Sequence, residues 1–345
     1  MRLIESRYLD DGKGFNNGQP ARLIEIEAPA DFDAILERIA STGFYDQHYY
    51  EERAGQHDER LTAHFWWVAE LVNRLRPTRV LEIGCGRGDV LRLLHDVHHV
   101  ECWGIDGGVD AAERVWPALR PTFREGDIAA VVGHWDGPKF DTVCAFDIWE
   151  HLHPLRLDDY ISAVVGATTD DALFAFVIPA YGRDDVFGEP FPLDFEENRA
   201  AFDERRPFPF LYADDHDPAI PAAGHLVYAH TDFWVSTFGR HGLVRVPEVE
   251  RDVHTWIDSL VPHSIRSFYV LRRDTASAAA RAHTIARRRW SDTWFVRSLL
   301  ACRREMRKGL TFDQPLLATA KAWYVTRPGV VPALVRARQR LTHAR

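Results

Sequence analysis

The segment Val80-Leu81-Glu82-Ile83-Gly84-Cys85-Gly86-Arg87-Gly88-Asp89 is the strongest candidate for holding a ligand, because an apolar run enters a glycine turn there. Glycines let the backbone turn sharply and let a bound molecule approach without interference from a Cβ atom. A nucleotide-bearing cofactor is the natural occupant. The third glycine of a G-x-G-x-x-G dinucleotide loop would fall at position 89, where this chain has Asp89. A pyrophosphate at the turn would therefore meet Asp89 and Glu82 as like charges. A ligand carrying an ammonium and a sulfonium would be stabilised by the same acids, and that description fits S-adenosylmethionine. Asp106 follows Gly84 by 22 residues, near the spacing at which a carboxylate reaches ribose hydroxyls. In Glu125-Gly126-Asp127-Ile128, Asp127 could accept from an adenine amino group while Ile128 covers the ring.

A second group lies in Phe146-Asp147-Ile148-Trp149-Glu150-His151. Asp147, Glu150 and His151 stand at i, i+3 and i+4, which brings them together if the turn is helical. Two chemistries fit. His151 could act as general base toward a substrate hydroxyl, with Glu150 or Asp147 orienting its ring. Alternatively, the three side chains could hold a divalent cation that lowers the hydroxyl's pKa. The base role is the reading favoured, with no metal as the default.

These residues need elements to position them. Short apolar runs at Arg79–Ile83, Glu101–Ile105, Pro121–Arg124, Asp141–Phe146 and Ala172–Ile178 alternate with helical patterns near Asp89–His95, Val109–Trp116 and Leu157–Val165. That alternation predicts an α/β fold, a doubly wound, mostly parallel sheet with helices on both faces. A helix at Thr231–His241 and two closing strands at Leu243–Val249 and Ile265–Arg272 bring the expected sheet to seven strands. Ligands bind at the carboxyl ends of strands in such sheets, which is where both candidate groups fall. Before this core, residues 1–78 read as an N-terminal extension, with two extended segments and helices over about Asp31–Ser41 and Asp58–Leu75. The core spans 79–273 with an insertion at 181–224, and 274–345 reads as a basic helical tail.

The core segment resembles the class I S-adenosylmethionine-dependent methyltransferases, through E-I-G-C-G-x-G between strand and helix and the acids downstream of it. The resemblance implies a Rossmann-like fold with Glu82, Gly84, Gly86 and Gly88 around the methionine moiety, Asp106 at the ribose, Asp127 and Ile128 at the adenine, and Phe146 beside them. The run Asp147-x-x-Glu150-His151-Leu152 is similar to that of the ubiquinone-biosynthesis O-methyltransferase group, some members of which use a metal. The usual first Glu is Asp147 here. The implied activity is methyl transfer to a hydroxyl of a small molecule or saccharide. Transfer to nitrogen or carbon, or a non-catalytic binding protein keeping the cofactor fold, are the alternatives.

The insertion mixes aromatic residues, among them Phe187, Phe191, Phe195, Phe202, Phe208, Phe210 and Tyr212, with many acids, and reads as a lid whose rings stack on the acceptor. His216, His225 and His230 look isolated. The chain has 345 residues and a net charge of −9, distributed unevenly. From Arg272 onward, 17 basic residues face 4 acidic ones, leaving the preceding residues at −22. An acidic mouth disfavours nucleic acid, while the tail segment around Trp294 and Phe295 suits docking on the acidic body or peripheral contact with an anionic membrane surface. The longest apolar run, Ala172 to Ala180, is too short for the roughly 18–20 residues of a membrane span. Four scattered cysteines without a C-x-x-C pair argue for reduced thiols. A cytoplasmic location is expected, and oligomeric state is not legible.

Overall fold

In a computed structural model, which describes residues 1–9, 20–45, 61, 64–108, 111–258, 260–261, 266–288 and 291–312, two sheets organise the chain. The larger is built from β3 (Arg79–Ile83), β4 (Glu101–Asp106), β5 (Phe123–Glu125), β6 (Phe140–Phe146), β7 (Thr168–Val177), β9 (Leu243–Arg245) and β10 (Phe268–Arg273). The smaller contains β1 (Arg2–Ser6), β2 (Ala21–Glu25) and β8 (Phe210–Tyr212). The helices are α1 (Ala30–Thr42), α2 (His64–Arg74), α3 (Asp89–His98), α4 (Ala111–Arg114), α5 (Ile128–Val132), α6 (Leu157–Gly166), α7 (Arg199–Asp203), α8 (Thr231–Arg240), α9 (Pro247–Ile257), α10 (Ala276–Ala286) and α11 (Asp292–Arg307).

The seven-stranded sheet has the order β5-β4-β3-β6-β7-β10-β9. The pairs from β5 through β7 are parallel, and β10 is antiparallel to both of its neighbours. Alternation along the strands divides the core into two layers. In β7, Leu173, Ala175 and Val177 belong to one buried cluster, and Ala172, Phe174 and Phe176 to the other. The first cluster is completed by α2, α3, α9, α10 and α11, the second by α1, α5, α6 and α8. This period-two division explains the near-continuous apolar runs, since a strand covered on both faces has no polar side. The expected Rossmann-like, doubly wound fold is the one observed.

Register then sets the ligand edge. Ile83 lies opposite Ile105 on one side and Ala145 on the other. Gly84, Asp106 and Phe146 consequently emerge side by side at the carboxyl end of the sheet.

Three local expectations change. The segment Leu243–Val249 is a strand only to Arg245, because Pro247 at the first turn starts α9. The stretch before β5 is a 3-10 turn, Pro117–Thr122, so that strand begins at Phe123. The insertion is not an unstructured lid: β8 pairs antiparallel with β2 of the N-terminal hairpin, and Leu23, Ile24 and Glu25 face Tyr212, Leu211 and Phe210. The expected turn between β1 and β2, the starts of the Asp58–Leu75 and Val109–Trp116 helices and the tail beyond residue 312 lie outside the described residues. In the described tail, α11 lays its apolar side on α2. Phe295 stacks on Trp67 at 5.2 Å, and Ser298 Oγ accepts from Trp66 Nε1 at 2.9 Å. All four cysteines are free and buried. Among the described residues no helix is long and apolar enough to cross a membrane.

Candidate active site

The glycine turn is built by left-handed backbone. Gly84, Gly86 and Gly88 have φ of 65°, 52° and 81°, values that residues with a Cβ rarely adopt. Gly84 has a further reason to be glycine, because an added Cβ would lie 1.9 Å from Ile148 Cδ1. The turn after β3 thus abuts the segment after β6. Gly88 does not line the cavity at this edge. Its role is packing, since a Cβ there would meet Leu119 at 2.7 Å.

A cavity of about 970 Å³ opens at the carboxyl end of the sheet. Glu82, Gly84, Gly86, Asp106, Asp127, Ile128 and Phe146 line one part of it, and Asp147, Ile148, His151, Leu152, Tyr45 and His225 another. Seven of the eight residues expected to hold the cofactor therefore share one wall.

Asp106 accepts from the Gly86 and Gly108 amides, at 2.7 and 2.8 Å through different oxygens. Burial pushes its carboxyl up from the usual range, and the two amides partly offset this. Each oxygen keeps a lone pair for a ribose hydroxyl. Asp127 caps α5 through the Ala130 amide and makes a two-pronged pair with Arg156 at 3.1 and 3.2 Å. Asp89 changes role. Arg87 grips it through two hydrogen bonds of 2.9 Å, and Trp116 Nε1 donates to it at 2.7 Å. The charge of Asp89 is thus largely compensated by Arg87, which leaves Asp106, and Glu82 once a cationic ligand draws off its proton, as the acids that face a ligand. Burial, with Asp89 and Asp106 adding to it, pushes the Glu82 carboxyl well above its usual range. Its Oε2 is buried without a hydrogen-bond partner. A ligand ammonium would satisfy that oxygen, and this unmet acceptor is the point at which the residues fit S-adenosylmethionine.

The second group is shaped by Asp147, whose φ of 53° breaks the strand direction while its amide still donates to Val177 O at 3.0 Å. The next residues form a 3-10 turn, Trp149–His151, pinned by the fully buried Trp149 ring against Phe176 and Phe238. Asp147 therefore does not share one helical face with Glu150 and His151. The carbonyl of Glu150 accepts from the Leu226 and Val227 amides at 2.7 and 2.9 Å. That clasp carries His225 to the Glu150 side chain. The less favoured cation-binding alternative of Asp147, Glu150 and His151 is not the set brought together: among the described residues it is Glu150, His151 and His225 whose ligand atoms all lie within 4.8 Å of one another.

Glu150 is fully buried, and neither of its oxygens has a hydrogen-bond partner. Burial and then the Asp147 carboxylate push it well above the usual carboxylate range. Asp147, with a buried unpartnered Oδ1, is pushed by burial to about 7. Burial lowers His151 to about 4, with the Gly224 carbonyl opposing, and burial followed by His151 holds His225 well below the usual range. Both imidazoles are neutral at pH 7, and a neutral imidazole offers one lone pair to a proton or a metal. The Nε2 atoms of His151 and His225 stand 3.8 and 3.9 Å from Glu150 Oε1.

Sequence reasoning named His225 only as an isolated candidate for polar contacts and missed Tyr45. Neither sits in a motif, and the signal available was weak: a histidine beside the apolar run Leu226-Val227-Tyr228-Ala229 is a candidate for burial. The other two histidines of that region are not in the cavity. His216 is exposed, and His230 caps α8 by accepting from Asp232. The rings of the insertion do not line the cavity either. Phe195 joins Tyr8 and Tyr212, Phe208 packs on Tyr181, and Phe187 packs on Tyr269.

Residues 55–213, just under half of the chain, match the family model described as a methyltransferase domain. The matched stretch takes in β3, the glycine turn and most of the cavity wall, and the fold is Rossmann-like. Solved structures similar to this chain include 1,6-didemethyltoxoflavin-N1-methyltransferase of Burkholderia thailandensis, at 16% identity over 79% of this chain and 100% of that one, with a TM-score of 0.43. An S-adenosylmethionine-dependent methyltransferase of Clostridium acetobutylicum has 11% identity over 68% and 100%, TM-score 0.41. One from Archaeoglobus fulgidus has 16% identity over 66% and 99%, TM-score 0.40. No curated protein matches the sequence.

Proposed function

We propose that this chain is an S-adenosylmethionine-dependent methyltransferase that transfers the methyl group to a hydroxyl of an uncharged small molecule, with His151 as the general base. The observation that supports it is the largely buried, neutral His151, which lines the same cavity as Glu82 and Asp106 and whose Nε2 stands 3.8 Å from Glu150 Oε1. Glu82, Gly84 and Gly86 would hold the methionine part of S-adenosylmethionine, Asp106 the ribose, and Asp127, Ile128 and Phe146 the adenine side. Bound there, the cofactor supplies an electrophilic methyl on a positively charged sulphur. His151 would take the proton of the hydroxyl that receives that methyl. Leu36, Leu152 and Ala223 add apolar surface to the cavity lining. Among the described lining residues the one Lys or Arg is Arg156, which is paired with Asp127. Acceptors bearing phosphate or carboxylate are disfavoured on this ground. At about 970 Å³ the cavity is at the top of the ~300–1,000 Å³ range for ligand pockets, which leaves room for a small acceptor beside the nucleoside.

The convergence of Glu150, His151 and His225 favours a second reading, in which a divalent cation at those three side chains activates the hydroxyl. Labelled methyl transfer to a panel of alcohols and phenols, with and without chelator, separates the two. Turnover that survives chelation and vanishes in His151→Ala, with cofactor affinity kept, is the expected result. Turnover retained in His151→Ala removes the base assignment.

A further inference from the structure

We propose that Tyr45 is a positioning residue, which together with the Gly224 carbonyl holds His151 in the tautomer protonated at Nδ1 and so presents the Nε2 lone pair to the active site. The inference rests on the role given to His151 above, and it holds whether that lone pair takes a proton or a metal.

Tyr45 comes from outside the sheet, and its position is built by the end of α1. Gly43 closes that helix at φ 64°, and the Phe44 amide turns back to the Ile39 carbonyl at 3.1 Å. This glycine-terminated end satisfies the last carbonyls of the helix and redirects the chain. The redirected chain carries Tyr45 into the cavity, where its ring meets that of His151 nearly edge-on at 5.8 Å.

The hydroxyl of Tyr45 lies 2.9 Å from His151 Nδ1 and 3.3 Å from Gly224 O. A hydroxyl has one hydrogen to give, and a carbonyl can only accept. If Tyr45 donates to Gly224 O, its oxygen is left to accept from His151 Nδ1–H, and all three groups are satisfied. If Tyr45 donates to Nδ1 instead, the Gly224 carbonyl loses that donor. The second arrangement also puts the imidazole proton on Nε2, where the Glu150 oxygen at 3.8 Å is too far for a hydrogen bond. The first arrangement makes the better use of the donors present.

Gly224 is fitted to this contact. Its φ is 77°, and an added Cβ would fall 1.9 Å from the Tyr45 hydroxyl oxygen. A side chain at position 224 would displace the hydroxyl from His151. The N-terminal segment and the end of the insertion, neither of which carries the cofactor turn, thereby fix which nitrogen of a core histidine is free. Ring partners of this kind commonly decide the tautomer of a functional histidine.

Nitrogen NMR of the full-length protein labelled at histidine, at one fixed pH, reads the tautomer directly. The His151 signals are assigned by their loss in His151→Gln. The expected spectrum has a protonated, pyrrole-type Nδ1 and an unprotonated Nε2. In Tyr45→Phe, Nε2-protonated ring should appear while the melting transition stays in place, and labelled-methyl turnover should fall about tenfold with the cofactor KM unchanged. A wild-type His151 protonated at Nε2 overturns the proposal by itself, as does an unchanged tautomer in a folded Tyr45→Phe. Because the spectrum needs no acceptor, it stands apart from the base assignment: full turnover in His151→Ala would remove that assignment while leaving the tautomer result in place.

Discussion

Glu82 and Asp106 are the two acids of the wall proposed for the cofactor, and their surroundings differ. Asp106 is held by two amides, whereas Glu82 ends in an oxygen with no partner. Removing the first should cost binding directly. S-adenosylmethionine binding in the micromolar range, about −8 kcal/mol, is expected to weaken at least about tenfold in Asp106→Ala, a loss of about 1.4 kcal/mol on the same scale. Isothermal titration of wild type and variant checks it, and equal affinities would remove the ribose assignment. Gly84 makes a sharper case, because its φ and the Ile148 side chain both forbid a Cβ. Gly84→Ala should lower stability by about 1–3 kcal/mol through strain and overpacking, seen in urea unfolding, and should also disturb the 3-10 turn that carries His151. Both positions were legible in the sequence, since a glycine turn and a carboxylate at a fixed spacing leave a local trace. The pairing of Asp89 with Arg87 was not, although the two residues are near neighbours, because nothing in the spacing tells whether two side chains fold toward each other.

At the scale of elements, the insertion is tied down on two sides. β8 joins the N-terminal hairpin, and Asp184 receives a bidentate pair from Arg245, at 2.5 and 2.9 Å, while Arg245 also reaches Glu250 at 2.6 Å. Arg245 is the last residue of β9, so this cluster links the start of the insertion to the far edge of the sheet. Arg245→Met leaves two buried carboxylates without their cation and should cost about 3–5 kcal/mol in chemical denaturation. A loss under about 1 kcal/mol would show that the cluster adds little to the tie. Asp194, also in the insertion, gives a pH test. Burial, offset in part by the Tyr181 hydroxyl, raises its carboxyl from 3.8 to about 6. Between those values the folded state binds the proton more tightly than the unfolded chain does, so this group's contribution to stability is present at low pH and is lost as the pH rises through that window. Asp194→Asn should remove that component, and the difference in unfolding free energy between wild type and variant should decline from about pH 4 to about pH 6. A flat difference would show that the carboxyl is not perturbed. The aromatic residues of the insertion were visible as a group, but their use was not. A phenylalanine stacking on a ligand and one packing on Tyr181 or Tyr8 look alike in a sequence.

For the molecule as a whole, the acidic body and basic tail meet through apolar surface. Phe295 is buried against Trp67, Trp66 donates to Ser298, and Cys302 is buried in the same layer. Phe295→Ala is expected to cost about 3–5 kcal/mol, measured by thermal or urea unfolding. A cost under about 1 kcal/mol would mean that α11 is only loosely held on α2. The sequence by itself determined the doubly wound sheet, its carboxyl-end edge and the residues that gather in the wall proposed for the cofactor. Strands buried on both faces must be apolar, tight turns must be glycine-rich, and the register of β3, β4 and β6 places the residues at their carboxyl ends side by side. Tertiary structure alone decided the other half of the site. His225 reaches Glu150 because backbone amides of Leu226 and Val227 clasp the Glu150 carbonyl, and Tyr45 reaches His151 because a glycine ends α1 and points the chain inward. Contacts between residues 75 or 106 positions apart depend on how helices, hairpin and insertion pack, and no local spacing encodes that.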